Sequence, residues 1–388
     1  MKSNFQELGK VSTIIMGTSP KGSTYNNNGQ GVPLLNGPTE FGPDHPNCTL
    51  YTTDPKQECE SNDLIFCVRG STTGRMNWAD KKYALGRGVC SIRGNTREDT
   101  IFISYALKIY LKNLLQFAAG STFPNLTKDA LNEFKIPYPN NRSKIVDQIS
   151  AYDDLIENNR RRIKLLEAAA RMLYKEWFVR LRFPGHEHVK VVDGVPEGWE
   201  RKTAYEVMEV LSGGTPKTNV QDFWDGDIPF YTPKDSVDYA YVNKTEKTLT
   251  EGGLRNCNSK LYPRDTVFIT ARGTVGKINL AQTAMAMNQS CYALVAKPPL
   301  NQYFLYFALV EGVEQFRSRA VGAVFDAIIR DTFKLIPFIV PDEKLIQAFT
   351  DHISPILQQI NLLSIETEKL VQARDLLLPK LMNGEINV

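Results

Sequence analysis

Two loops rich in glycine, hydroxyl and cationic residues each occur twice in this 388-residue chain. The first reads Gly17-Thr18-Ser19-Pro20-Lys21 with Tyr25 behind it, and it returns as Gly213-Gly214-Thr215-Pro216-Lys217 with Trp224. The second reads Arg69-Gly70-Ser71-Thr72-Thr73-Gly74-Arg75 and returns as Arg272-Gly273-Thr274-Val275-Gly276-Lys277. Glycine lets the backbone approach a partner closely, and hydroxyls with free backbone N–H groups hold phosphate oxygens. Arginine reads guanine through two parallel hydrogen bonds. On this chemistry the candidate DNA contacts are Lys21, Tyr25, Arg69, Thr72, Arg75, Lys217, Trp224, Lys234, Arg272, Thr274 and Lys277. Asn288 and Gln289, followed by Ser290, add a third polar cluster whose amides either read bases or close a turn. The glycines and prolines serve equally well as plain turn formers.

Catalytic chemistry finds no comparable support. The nearest string to a phosphate-binding P-loop, Gly273-Thr274-Val275-Gly276-Lys277, is too short, and no G-x-G-x-x-G opens a helix after a strand. Four histidines (45, 186, 188 and 352) are too few and too scattered for a triad or a metal cluster. His186 and His188 lack a third ligand nearby and read as loop residues. Lys297-Pro298-Pro299-Leu300 does not match the Asp/Asn-Pro-Pro-aromatic tetrad of amino-methyltransferases. The expectation is a binding protein with no catalytic residues, no metal and no cofactor.

The elements behind these loops are also duplicated. Pro20 and Pro33 recur 196 positions on as Pro216 and Pro229. Asp63, Phe66, Gly74, Phe123, Asp129 and Pro139 recur 202 positions on as Asp265, Phe268, Gly276, Phe325, Asp331 and Pro341. A solenoid repeat runs roughly 20–50 residues, so this is a duplicated domain. In each half a β-branched and aromatic run (64–68 and 267–271) precedes Arg-Gly, as a strand entering a tight loop would. A helical segment follows, at 104–120 and 302–322.

Each half ends in a rod. Ile145, Ile149, Tyr152, Ile156, Asn159, Ile163, Leu166, Ala170, Leu173 and Trp177 follow an unbroken 4-3 spacing, the coiled-coil pattern. Asn159 occupies a seam position, where a polar residue fixes register at a cost in stability. The second seam runs Ile346, Phe349, Ile353, Ile356, Ile360, Leu363, Thr367, Leu370, Arg374, Leu377. Pro355 inside it predicts a kink or a restart capped by Ser354. Residues 141–182 carry 10 basic and 6 acidic side chains and 342–388 carry 4 and 7, so the rods are of opposite charge, as partners would be. At 1.5 Å per residue each rod is roughly 55–60 Å long.

Bulk properties narrow the class. Hydrophobic content of 42% with 23% charged residues is ordinary for globular domains. Net charge is only +3, so any nucleic-acid contact is confined to loops. Six cysteines without a CxxC pair read as reduced thiols. The first residues lack an apolar signal core, and no run approaches the roughly 18 apolar residues of a membrane span. The cytoplasm is the expected compartment.

Taken in order, these motifs resemble the specificity (S) subunit of a type I restriction–modification system. The residues that carry the resemblance are Gly214-Thr215-Pro216, Asp227-Ile228-Pro229-Phe230, Arg272-Gly273-Thr274-Val275-Gly276 and Asn288-Gln289-Ser290-Cys291. The hinge from Phe183-Pro184-Gly185 to Pro196-Glu197-Gly198-Trp199 completes the set, which spans essentially the whole chain. The first half departs from it: it lacks the Pro-Glu-Gly-Trp lead-in, has Gly17-Thr18-Ser19-Pro20 with an inserted Ser, and has one more residue in its Arg-Gly loop.

The resemblance implies an α+β protein. Two duplicated α/β target recognition domains (1–140 and 199–341), each a twisted, partly barrel-like sheet with flanking helices, would be separated by two long helices (141–182 and 342–388) pairing as an antiparallel coiled coil, with a linker at 183–198. Each domain would read half of a split, asymmetric site in double-stranded DNA. Ile149, Ile156, Asn159, Ile163, Leu166, Leu173, Ile353, Ile360, Leu363 and Leu370 would form the coiled-coil and partner surface. Two methylation (M) subunits would dock there and modify adenine N6 with S-adenosylmethionine, and restriction (R) subunits would add ATP-driven translocation and cleavage. Half-sites facing one side of B-DNA lie about 34–36 Å apart, within reach of such a rod. The rival readings are a coiled-coil adaptor that binds proteins and a self-contained enzyme whose Arg272–Lys277 loop takes a phosphate or nucleotide.

Overall fold

The computed structural model describes residues 5–118, 124–318 and 327–386. Phe123 and Phe325 of the repeat, and the ends of the two helical segments expected at 104–120 and 302–322, lie outside the described residues. The chain forms two compact units, Met1–Leu155 with Leu370–Val388, and Ile156–Lys369.

Among its described residues the first unit carries eleven strands: β1 (Phe5–Glu7), β2 (Ser12–Met16), β3 (Tyr25–Asn26), β4 (Val32–Leu35), β5 (Tyr51–Thr52), β6 (Glu58–Cys59), β7 (Leu64–Cys67), β8 (Met76–Trp78), β9 (Tyr83–Leu85), β10 (Val89–Gly94) and β11 (Lys135–Pro137). They assemble as an antiparallel sheet β2-β10-β7-β8, a mixed sheet β3-β5-β4-β9-β6 and the pair β1-β11. The β7 run Leu64–Cys67 is buried on both faces, which explains its continuous apolar sequence. Phe66 and Ile92 face Phe102, Ile103 and Leu107 of the helix Arg97–Ile109, while Ile65 faces Leu35, Tyr83 and Leu85 of the mixed sheet. That helix begins seven residues before the expected segment. The Thr96 side chain accepts from the Asp99 N–H and Asp99 answers on the Thr96 N–H, a capping box that sets the start. The helix also ends at Ile109, and a separate short helix covers Leu111–Leu115.

The second unit repeats the plan. Its strands are β12 (Val191–Val192), β13 (Val195–Pro196), β14 (Glu200–Thr203), β15 (Met208–Ser212), β16 (Trp224–Tyr231), β17 (Tyr241–Val242), β18 (Lys247–Leu249), β19 (Val267–Thr270), β20 (Ile278–Ala281), β21 (Ala286–Met287), β22 (Cys291–Ala296) and β23 (Pro337–Val340). The sheet β15-β22-β19-β20-β17 corresponds to β2-β10-β7-β8, and β18-β16-β21 and β14-β23 complete the set. The sheets remain open among the described residues, with no closed barrel. The helix Gln302–Arg317, capped by Asn301, packs on this sheet through Phe304, Leu305 and Leu309. The expected linker is itself structured. Val191–Val192 pairs with Val195–Pro196, and Phe183 packs against Trp199 with ring centroids 5.2 Å apart.

The repeat register needs one correction. Asn62 and Asp265 both adopt positive φ, and both donate their N–H to the equivalent alanine carbonyl, Ala79 and Ala281. The strands therefore align at an offset of 203, and Phe66 corresponds to Ile269, not to Phe268. Because side chains alternate along a strand, a slip of one residue reverses the face. Phe66 and Ile269 point at the helices, whereas Ile65 and Phe268 point at the second sheet. The offset returns to 202 at Gly74 and Gly276 because the second loop is one residue shorter.

Two long helices, Arg142–Tyr174 and Glu343–Met382, take part in both units, about 50 and 60 Å long. The first ends in a wider π turn at Lys175–Val179. Its seam is the expected one: Ile145, Ile149, Ile156, Asn159, Ile163, Ala170 and Trp177 are buried, and Tyr152, Leu166 and Leu173 half-buried. Ile346, Phe349, Ile353, Ile360 and Leu363 are buried on the second helix, with Leu370 half-buried. In the first unit Arg374 Nη1 donates to Asp153 at 2.7 Å. In the second unit Trp177 packs on Phe349 and on His352, with centroids 6.0 and 5.6 Å apart. Within the second unit the two helices run antiparallel, with Trp177 beside Phe349 while Lys164 and Glu167 line one cavity with Leu357 and Ile360. The restart expected at Pro355 does not occur. Pro355 is exposed, as is Asp351, whose carbonyl loses its N–H partner to the proline, and the buried residues on either side hold the helix together.

Candidate nucleic-acid interface

Each unit brings its glycine loop and its arginine loop to a common tight turn. In the first unit that turn is Gly86-Arg87-Gly88, between β9 and β10. The Gly17 N–H donates to Val89 O at 3.0 Å and the Thr18 N–H to Leu85 O at 2.8 Å, which fastens the glycine loop. The Val68 N–H donates to Gly88 O at 2.9 Å, which fastens the start of the arginine loop. In the second unit the turn is Asn288-Gln289-Ser290, between β21 and β22. Here the Gly214 N–H donates to Met287 O at 3.1 Å and the Ala271 N–H to Ser290 O at 2.8 Å. Two of the three bonds recur: Gly214 to Met287 answers Thr18 to Leu85, and Ala271 to Ser290 answers Val68 to Gly88.

Close backbone packing explains the first glycines. A Cβ on Gly17 would lie 2.1 Å from Gly86 O, and one on Gly213 would lie 2.2 Å from Asn288 O. These two glycines are therefore structural, whatever the loops touch. Thr18-Ser19 and Gly214-Thr215 share one offset of 196 and equivalent bonds, so Ser19 is not an insertion but the counterpart of Thr215.

The predicted side chains fall into three groups. Lys21, Arg69, Lys217, Lys234, Arg272 and Gln289 are exposed. Lys21, Arg69, Lys217 and Arg272 belong to the fastened loops, with Gln289 in the turn itself; Lys234 lies on a short 3-10 turn, Pro233–Asp235, just past the strand whose Tyr231 carbonyl accepts the Asn288 N–H. Tyr25 and Trp224 brace the loops from behind. The Tyr25 hydroxyl donates to Pro20 O at 3.2 Å, and the Trp224 ring N–H donates to Lys217 O at 3.3 Å. Lys247 lies 5.2 Å from the Trp224 ring centre, a cation over the same brace.

The third group is engaged elsewhere. The Thr72 hydroxyl is 3.7 Å from Cys67 Sγ, and Arg75 lies over the Phe41 ring at 5.9 Å. Lys277 pairs with Asp238; Thr274 is exposed, and the bond it makes to the Thr270 hydroxyl is through its backbone carbonyl. The Asn288 side-chain oxygen accepts the Ser290 N–H at 3.0 Å, closing its own turn. Sequence reasoning missed Arg87 and Ser19. Arg87 is exposed at the tip of the first turn, 202 residues before Gln289, so the repeat offset alone marks it.

Among the described residues no group of three or more His, Cys, Asp or Glu could hold a metal ion, and no helix is long and apolar enough to cross a membrane. His186 Nδ1 lies 2.8 Å from Phe183 O, within its own loop. What the two edges can do is hold an anionic backbone with exposed cations and present a different donor set from each unit.

Comparison with known proteins agrees with that chemistry. The family model described as "Type I restriction modification DNA specificity domain" matches twice, over residues 2–168 and 196–372. The type I restriction enzyme HindI specificity subunit of Haemophilus influenzae is 25% identical over 352 residues, covering 74% of this chain and 76% of the relative. The type I restriction enzyme MjaIX specificity subunit of Methanocaldococcus jannaschii is 28% identical over 304 residues, covering 74% and 68%. Among solved structures, the type I restriction–modification S subunit from M. genitalium superposes with a TM-score of 0.62 at 19% identity, covering 98% of this chain and 96% of that one.

Proposed function

The chain belongs to the type I restriction modification DNA specificity family, and we propose that within it each unit reads one half of a split, asymmetric site in double-stranded DNA. As a member it is a non-catalytic specificity subunit that recognises DNA sequence, while partner methylation and restriction subunits carry the activity. We assign residues 1–140 and 199–341 to the two readers, 141–182 and 342–388 to the spacer helices and 183–198 to the linker. The chain would direct adenine methylation by two methylation subunits docked along the spacer helices, with restriction subunits completing the complex in the cytoplasm. Two identical readers would call for two identical half-sites. The observation that carries the proposal is one loop frame built twice, with its exposed side chains changed: Arg87 at one tip, Gln289 at the other. Covalent linkage of two weak readers turns the second contact into an intramolecular one, which supplies affinity that neither has alone.

Arg69 and Arg272 test this at equivalent places. Each is substituted by Ala in the methyltransferase assembled from this chain and its methylation subunits. Each variant should bind target DNA more weakly, and each should lower the slope of log affinity against log salt by about 1, the signature of one lost phosphate contact. Unchanged affinity and unchanged salt slope in both would rule out the assignment of these loops to DNA.

A further inference from the structure

The two turns differ at all three residues, and in both units a hydroxyl from the glycine loop holds the central one. In the first unit Arg87 Nε donates to Ser19 Oγ at 3.3 Å, and the Arg87 backbone N–H donates to the same oxygen at 3.4 Å. In the second unit the Thr215 hydroxyl donates to Gln289 Oε1. Ser19 and Thr215 are 196 residues apart, and Arg87 and Gln289 are 202 apart, so these are the same two places in each copy. Both readers are exposed, whereas the glycines and strands that carry them are packed. This is a side chain held in one direction by a second residue and aimed outward from a fixed frame.

The bonds leave defined chemistry free. With Nε engaged, the two terminal nitrogens of Arg87 can donate in parallel, the pattern that matches O6 and N7 of guanine. With Oε1 anchored by Thr215, the Gln289 amide still has Nε2 to donate to N7 and a second lone pair on Oε1 to accept from N6, the pattern that matches adenine. Resting on the reading that both units bind DNA, we propose that Arg87 and Gln289 are base-reading, specificity-determining residues at equivalent positions of the two half-sites. Arg87 selects guanine and Gln289 selects adenine; Ser19 and Thr215 are their positioning residues. The asymmetry of the site then comes in part from one substitution in a shared frame.

The test uses the assembled methyltransferase in cells that lack other adenine methylation, with methylated genomic positions read by sequencing. Arg87→Gln should change one position of one half-site, weakening guanine against the other bases by roughly 10-fold or more, and leave the other half-site intact. Gln289→Arg should do the reverse in the other half. Where a variant abolishes methylation, binding of the purified complex to duplexes carrying each of the four bases at that position gives the same ratio. Ser19→Ala should lower that ratio without changing the preferred base, whereas a purely structural role would weaken all four duplexes equally. A motif and base ratios unchanged in Arg87→Gln and Gln289→Arg, with the unmodified protein still methylating a defined site, would overturn the base-reading proposal and leave DNA reading intact. An unmodified complex that methylates no defined site would overturn the reading of DNA by the two units.

Discussion

At the scale of single residues the molecule separates groups that hold it together from groups that face outward. Arg374 shows the first kind. Its side chain is 14% exposed and bonded to Asp153, which also accepts the Tyr105 hydroxyl at 2.6 Å, so a charge predicted on the seam is neutralised where it lies. Glu167 is the less comfortable case. Burial pushes its carboxyl up to about 7 from an ordinary 4.5, although the Ala240 N–H donates to it and pulls the other way. A carboxyl raised in the folded state binds a proton there that the unfolded chain has already lost. Its contribution therefore falls as pH rises from about 4.5 to about 7 and is constant outside that window. Glu167→Gln keeps an acceptor for Ala240 and removes the titration, so stability at pH 8 should rise relative to the unmodified chain and the difference should vanish at pH 4. Chemical denaturation at the two pH values measures this; an equal difference at both would show that the carboxyl titrates normally. The candidate contact residues were partly legible at this scale, because glycine, hydroxyl and cation together suit anion contact. Arg87 was not, since a Gly-Arg-Gly turn has no motif and only the repeat offset picks it out.

At the scale of elements, the long helices were the most legible part of the sequence, because a seven-residue period over more than four heptads leaves only one buried face. Asn159 sits on that face, 3% exposed, and among the described residues its side-chain nitrogen has no hydrogen-bond partner. An unsatisfied buried amide costs about 1–3 kcal/mol. Asn159→Leu should therefore raise stability by about 1 kcal/mol or more while loosening the register that the polar group enforces. Denaturant midpoints check the first effect; a loss of stability would mean that the amide has a compensating role. What was illegible follows from competition between local and tertiary effects. Pro355 signals a break by its own chemistry, yet packing on both sides carries the helix through it. The helix start at Arg97 is set by Thr96 and Asp99, a signal in the sequence but outside the apolar segment that drew attention. The Phe66–Phe268 match was attractive because both are aromatic in a DxxF string, but a one-residue slip in a strand exchanges its faces, and only the backbone bonds reveal it.

At the scale of the whole molecule, duplication preserves the frame and frees the tips. The glycines, the turn bonds and the sheet order recur, while Arg87 gives way to Gln289 and Arg75 to Lys277. A repeated frame with unlike tips is what recognition of an asymmetric two-part site would require, and on the proposed reading the spacer helices would serve as a ruler as well as a support. Removing one heptad after Leu166 tests the ruler: the gap between half-sites should change or assembly should stop, and methylation of the original sites at the original level would exclude the role. The central claim is that the two units read separate halves of one site. Sequencing methylated adenines in cells carrying the assembled methyltransferase tests it most directly, with the unmodified chain compared against Arg87→Gln and Gln289→Arg. The account predicts a bipartite motif in which Arg87→Gln alters one half and Gln289→Arg the other. A single uninterrupted motif, or two substitutions that relax the same bases, would contradict it.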